Sequence, residues 1–256
     1  MTLKIVAVIG AVGGAGATAV SAHLVSALFR QHRDALAFDL STENRLRLYF
    51  GMALRDPTGW ASELLHDKEW HGAAYVGSNG PGFVPFGQLE SDAELDRLCL
   101  RLRDNPLWLR SQLDRLNMAP DTIVVCDCPR MPAALREQAI DAADLVLLIA
   151  SPDSIAYGVA AEIARRAAHG GNLKTFLVLN GFDPARRLDR DISVLLRTQH
   201  KERFSPVVVH RDESLREALA CKQTIFDFAP SSQSAYDFSA LATWTLAKLG
   251  QVLETA

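Results

Sequence analysis

Gly10-Ala11-Val12-Gly13-Gly14-Ala15-Gly16-Ala17-Thr18 decides how this chain is read. Before it, Leu3 to Ile9 carries Lys4 as its one charge, with β-branched Val6 and Val8, and reads as a buried strand. After it, Thr18 to Arg30 places Val20, Leu24 and Leu28 at helical spacing with small residues between. Strand, glycine-rich turn and helix in that order frame a phosphate-binding loop, GxxxxGK[ST]. Gly10 and Gly16 hold its glycine positions and Thr18 its hydroxyl position, but Ala17 stands where lysine belongs. Glycines let backbone N–H groups turn inward on phosphate oxygens, and the helix N-terminus adds about half a positive charge. The candidate phosphate-binding residues are therefore Gly13, Gly14, Ala15, Gly16, Ala17, Thr18 and Ala19. The missing part is a point charge, worth on the order of 1.5–3 kcal/mol, or about one to two decades in affinity. Phosphoryl transfer relies on positioned positive charge, so catalysis is expected to suffer more than binding. A glycine turn that only packs tightly is the competing reading of the loop alone.

Working outward, Ala35 to Leu40 is a second expected strand, carrying Asp39 near its end. The stretch Asn44 to Leu116 is mixed, with helix-like segments at Thr58–Asp67 and Ser91–Leu116 and a short strand near Gly82–Pro85. Further strands are expected at Thr122–Cys126, Leu145–Ile149, Thr175–Leu179 and Pro206–Val209. Helices are expected at Pro132–Ala142, Ser154–His169, Arg187–His200, Ser214–Cys221 and Ser234–Leu253. This alternation predicts an α/β fold with a mostly parallel sheet and helices on both faces, in one domain over residues 1–256. Ligands of such sheets bind at the carboxyl ends of the strands. Glycines, Asp39, Asp127, Ser151 to Asp153, Asn180 and His210 to Asp212 fall there.

Bulk properties exclude several classes. The 256 residues are 48% hydrophobic and 22% charged with a net charge of −3, which offers no dominant nucleic-acid footprint. No stretch of about 18 apolar residues predicts a membrane-spanning helix, and the N-terminal run ends in glycines as a strand would, unlike a signal peptide. Cys99, Cys126, Cys128 and Cys221 lack zinc spacing and are expected to be buried free thiols in a reducing, cytoplasmic compartment. The histidines show no ligand pattern, and no Gly-x-Ser-x-Gly elbow occurs. Trp60, Trp70 and Trp108 are expected in the core, with a partner interface as the alternative.

The loop-end residues together resemble the MinD/ParA family of dimeric P-loop ATPases over nearly the whole chain. That family's loop reads KGGxGKT. Val12 replaces its signature lysine, which reaches across a sandwich dimer to the partner's nucleotide, and Ala17 replaces the second lysine. The family's DxD appears as Asp39-Leu40-Ser41, so the aspartate near Mg²⁺ is kept and the water-orienting one is serine. Val124-Val125-Cys126-Asp127-Cys128-Pro129 matches the hhhDxP segment, which implies Asp127 beside Mg²⁺ through water. The resemblance thus implies a metal set of Thr18, Asp39 and Asp127. It implies an adenine site at Asn180, which ends Leu177-Val178-Leu179-Asn180, and at His210, Arg211 and Asp212.

Within this superfamily the chain is similar to the BcsQ (YhjQ) cellulose-biosynthesis branch. The phrases that carry this are Asn44-Arg45-Leu46-Arg47-Leu48, Gly59-Trp60-Ala61, Val84-Pro85-Phe86-Gly87-Gln88-Leu89, Asp127-Cys128-Pro129-Arg130, and the stretch from His210 to Lys222-Gln223. The resemblance implies an ATP- and Mg²⁺-binding homodimer that helps assemble or place a bacterial cellulose synthase and secretion complex. Its partners would be BcsR-, BcsE- or BcsA-like subunits at the inner membrane, with no nucleic acid. Arg130, Arg186, Arg187 and Arg211 are candidates to replace the lost lysines. Two alternatives stay open: a scaffold that binds no nucleotide, and a working positioning ATPase.

Overall fold

The computed structural model describes residues 3–76, 80–158 and 175–254. Eight strands form one sheet: β1 (Lys4–Gly10), β2 (Ala35–Asp39), β3 (Tyr75–Val76), β4 (Gly82–Val84), β5 (Ile123–Cys128), β6 (Leu145–Ala150), β7 (Thr175–Phe182) and β8 (Val209–His210). Their spatial order is β3-β4-β2-β5-β1-β6-β7-β8. Every pairing is parallel except β3 with β4. The phosphate-loop strand β1 is central, and all seven of its residues are buried. A strand covered on both faces has no polar side, which is why Val-Ile-Ala runs without alternation suit it.

Alternate residues of β1 feed two cores, as the strand period requires. Val6 and Val8 pack with α1 (Ala17–Arg30) and with Phe238 and Leu241 of the C-terminal helix. Ile5, Ala7 and Ile9 join Trp60, Trp108 and Leu135 on the other face. The helices of that second face are α2 (Trp60–Leu65), α3 (Asp92–Arg103), α4 (Trp108–Leu113) and α5 (Ala133–Ala142). After β7 come α6 (Arg187–His200), α7 (Ser214–Ala220), α8 (Ile225–Phe228) and α9 (Gln233–Glu254).

Several expectations are corrected. The helix expected over Ser91–Leu116 is two helices, because Pro106 cannot continue the first and disfavours helix at Asn105 before it. The last strand is two residues at Val209–His210, displaced from the expected Pro206–Val209, and α8 and β3 were not anticipated. The helix expected at Ser154–His169 is present over residues 154–158, and the rest of that range lies outside the described residues. Cys99, Cys126 and Cys128 are buried free thiols, but Cys221 is exposed at the end of α7.

The mixed region is organised by one close crossing of backbones. Gly87 has φ of 92°, and a Cβ built on Gly59 would lie 2.1 Å from the backbone N and Cα of Gly87. Around this point the Trp60 N–H donates to the Pro85 carbonyl, and the Asn44 side-chain amide donates to the Gly87 carbonyl. The Trp60 indole N–H donates to the Asp39 carbonyl at 2.7 Å. Three phrases far apart in the chain thus meet and fix the end of β2, the strand that delivers Asp39.

Candidate nucleotide and magnesium site

The loop after β1 rises directly into α1. Gly16 caps the helix in the left-handed region, with φ of 87°. A Cβ there would also lie 2.3 Å from the Asn180 amide nitrogen, so both backbone and space demand glycine. The first turn of α1 has no acidic residue and no side-chain cap. Its leading N–H groups have no partner within the helix. They stand beside a cleft of about 510 Å³ lined by Gly13, Gly14, Ala15, Gly16, Ala17, Thr18 and Ala19. A glycine loop with open helix amides is a ready anion cradle.

Asp39 and Asp127 lie directly opposite each other in the β2–β5 register, and both are almost wholly buried. Asp39 accepts the N–H of Ser41 at 2.8 Å and the N–H of Leu46 at 3.3 Å. Asp127 accepts the Ser21 hydroxyl on Oδ1, while its buried Oδ2 has no partner. Burial, and then the neighbouring charge of Asp127, push the Asp39 carboxyl well above the usual carboxylate range. Burial pushes Asp127 up to about 6, against the hydroxyls of Thr18 and Ser21, which favour its ionised form. Asp127, with its orphaned oxygen, lines the cleft near the Thr18 hydroxyl, while Asp39 lies behind it, opposite Asp127 and outside the cleft lining; these oxygens form a donor set for a hard dication. The residues present fit Mg²⁺. Among the described residues no cluster of three or more His, Cys, Asp or Glu could hold a metal ion.

The cleft contains no lysine. Its cations are Arg45 and Arg130. Arg130 was anticipated and carries no ion pair among the described residues; Arg45 was not, and lies 3.2 Å from Glu43. Arg186 and Arg187 are tied to Asp183 and Asp191 on and before α6, and neither they nor Arg211 line the cleft. Ser41 lines it and, with 9% exposure, receives the Glu43 N–H on its hydroxyl. Tyr49 closes one side, its phenol pushed up to about 12 by burial and then by the charge of Asp127.

The other anticipated residues sit beyond the cleft lining. Asn180, at the end of the expected segment, donates its amide to the Ala15 carbonyl at 2.8 Å, and so braces the phosphate loop. His210 gives both its backbone N–H and its ring nitrogen Nδ1 to Asp237 of α9, at 2.8 and 2.9 Å. Asp212 accepts the Ser214 N–H and the Ser234 hydroxyl, which hold its carboxyl below the usual range despite partial burial. These contacts staple the β8–α7 loop to the C-terminal helix. The exposed Arg211 donates its backbone N–H to the Phe182 carbonyl. No sequence pattern announced His23, which is fully buried in α1. Its Nε2 accepts the Ile225 N–H and its Nδ1–H donates to the Ala19 carbonyl. Burial lowers its pKa to about 4, so it ties α1 to α8 as a neutral ring.

Comparison with known proteins places this geometry. The chain is 21% identical to the septum site-determining protein MinD complexed with Mg-ADP from Pyrococcus horikoshii OT3, with a TM-score of 0.75 over 94% of each chain. It is 20% identical to cobyrinic acid a,c-diamide synthase from Mycobacterium smegmatis with bound ADP and magnesium, with a TM-score of 0.75 over 96% of this chain and 94% of that one. The fold is therefore that of the MinD/ParA-like P-loop NTPases. In sequence it is 27% identical over 246 residues to the cellulose biosynthesis protein BcsQ of Salmonella typhimurium strain LT2, covering 93% of this chain and 92% of that one. It is 25% identical over 245 residues to the BcsQ of Escherichia coli strain K12, covering 93% and 92%. The family model described as cellulose biosynthesis protein BcsQ matches residues 3–246, and the chain belongs to that family.

Proposed function

We propose that this chain is a cytoplasmic accessory protein that binds ATP with Mg²⁺ as a homodimer, hydrolyses it slowly or not at all, and assembles or positions a cellulose synthase and secretion complex at the inner membrane. The observation that carries the reading is the buried Asp39–Asp127 pair beneath an open phosphate loop. Two adjacent buried carboxylates are costly without a compensating cation, and a scaffold with no ligand has no use for them. MinD complexed with Mg-ADP and cobyrinic acid a,c-diamide synthase with ADP and magnesium are proteins of this fold, which supports magnesium and nucleotide here. Family membership supports the link to cellulose synthesis. Among the described residues no helix is long and apolar enough to cross a membrane.

In this reading the amides of Gly13 to Ala19 would hold the phosphates, and Thr18, Asp39 and Asp127 would hold the ion, partly through water. Magnesium would supply the counter-charge that the loop lacks. Arg45 and Arg130 would add fixed positive charge from the cleft walls, and the free carbonyl of Asn180 would face the adenine amine while its amide keeps the loop in place. The loop carrying His210, Arg211 and Asp212, held by α9, would close over the base. Ser41 can bind a water but cannot orient it as a carboxylate does, which sets hydrolysis low.

Returning the lysine tests the assignment. Ala17→Lys is expected to tighten ATP by about ten- to a hundredfold, with phosphate release still near background because Ser41 is unchanged. Equilibrium binding of labelled ATP measures the first effect and a phosphate-release assay the second. Unchanged affinity would show that phosphates do not lie on this loop. A companion Arg130→Ala is expected to weaken ATP by about tenfold, read in the same titration.

A further inference from the structure

Trp70 and Trp108 are not simply core residues. They form the floor of a second cleft, of about 440 Å³, which shares no lining residue with the phosphate-loop cleft. Its walls are the end of α2, the turn at Trp70–Ala73, the last turn of α3 and α4 with its following turn. Lys68, Arg101 and Arg115 line it against one anion, Glu69. Lys68 lies 3.7 Å from Glu63, and Arg101 bonds Asp67 and the Leu64 carbonyl, but among the described residues Arg115 has no ion pair.

Hydrogen-bond donors outnumber acceptors here. Trp108 is only 5% exposed, yet among the described residues its indole N–H has no hydrogen-bond partner. Buried tryptophan N–H groups ordinarily find a partner. The Trp70 indole N–H donates to Gln112 Oε1 at 3.2 Å, which leaves the Gln112 amide hydrogens free to donate. The apolar surface comes from Leu64 and the two indoles.

We infer that this cleft docks an acidic segment of a partner protein, its carboxylates on Arg115, Lys68 and the Trp108 N–H and one apolar side chain against the indoles. Charge complementarity selects that occupant: carboxylates supply the acceptors that the cleft lacks. A tryptophan and an arginine in one pocket are the residue types that dominate binding hot spots. A nucleic-acid strand needs an extended basic track, and the whole chain carries a net charge of −3. This docking surface stands independently of whether nucleotide binds.

Fluorescence anisotropy with the full chain tests it. The probe is a fluorescein-labelled peptide with a central leucine flanked by glutamates; its control has glutamines in their place. At low salt the glutamate peptide is expected to bind at least about tenfold tighter than the control. Arg115→Glu, an exposed change, is expected to weaken it by about tenfold or more, and Trp108→Phe, which keeps a ring in the core, by about tenfold. Absence of binding, or equal binding by parent and Arg115→Glu, would overturn the inference. So would displacement of the peptide by inorganic phosphate with the same sensitivity to Arg115→Glu, which would make the cleft a small-anion site.

Discussion

Asp127→Asn makes the protein more stable without ligand, and less able to gain stability from Mg-ATP. This is the expected result if the buried acid pair exists to hold a cation. A carboxyl moved by burial from 3.8 to about 6 costs the folded state on the order of 3 kcal/mol once ionised. The amide keeps an acceptor for the Ser21 hydroxyl and removes the charge that Asp39 faces across the β2–β5 register. The sign follows from linkage. A raised carboxyl pKa means the folded state holds more protons than the unfolded state between the two pKa values, so stability falls as pH rises through that window. The variant should therefore exceed the parent in melting temperature at pH 7, and the gap should close as pH falls from about 6 towards 4. His23 titrates in the same window with opposite sign, since its lowered pKa costs stability as pH falls below its ordinary 6.5. Both proteins share that histidine, so the difference between them isolates the acid pair. Mg²⁺ with ATP should raise the parent's melting temperature and leave the variant's nearly unchanged. A variant less stable than the parent at pH 7 would show that the aspartates are held by something other than a cation.

Gly59→Ala yields little or no folded protein. Its new Cβ would lie 2.1 Å from the Gly87 backbone and 2.3 Å from the Phe86 carbonyl carbon. Backbone cannot rotate away as a long side chain can. Nor can the loop shift freely, because the Trp60, Ala61 and Gln88 amides bind across the crossing to Pro85, Phe86 and Pro57. Overpacking at such a point costs about 4–5 kcal/mol or more, a large part of a domain's usual 5–15 kcal/mol or so. Gly72→Ala is the control, since a Cβ there meets nothing within 4 Å; it should change stability by less than about 1 kcal/mol. Circular dichroism melts of the soluble fractions distinguish the two. A Gly59→Ala protein melting within a few degrees of the parent would mean the two loop segments do not cross this closely.

The central frame was legible because it is local. Glycine spacing, a strand before and a helix after reveal the glycine loop from Gly10 to Thr18 between β1 and α1 without distant information. Asp39 and Asp127 were legible as strand ends, but their opposition was not, since it depends on β2 and β5 becoming neighbours. The same limit hid the crossing at Gly59 and Gly87: its two segments read as separate phrases, and only tertiary packing joins them. Arg45 carried no local signal, as an exposed arginine is ordinarily a solvated one. The break at Pro106 is written in the chain, but apolar spacing continues through it and masks the break. His210 and Asp212 fall at the expected strand end, yet their hydrogen bonds go to Asp237 and Ser234, residues that no motif connects to them.

The claim at the centre is that a loop without lysines still holds Mg-ATP. Equilibrium binding of labelled ATP to the purified chain, with and without Mg²⁺, tests it most directly. The account predicts saturable binding of one nucleotide per chain by about millimolar ATP, dependent on Mg²⁺ and lost in Asp127→Asn. No binding at that concentration, with or without Mg²⁺, would contradict it.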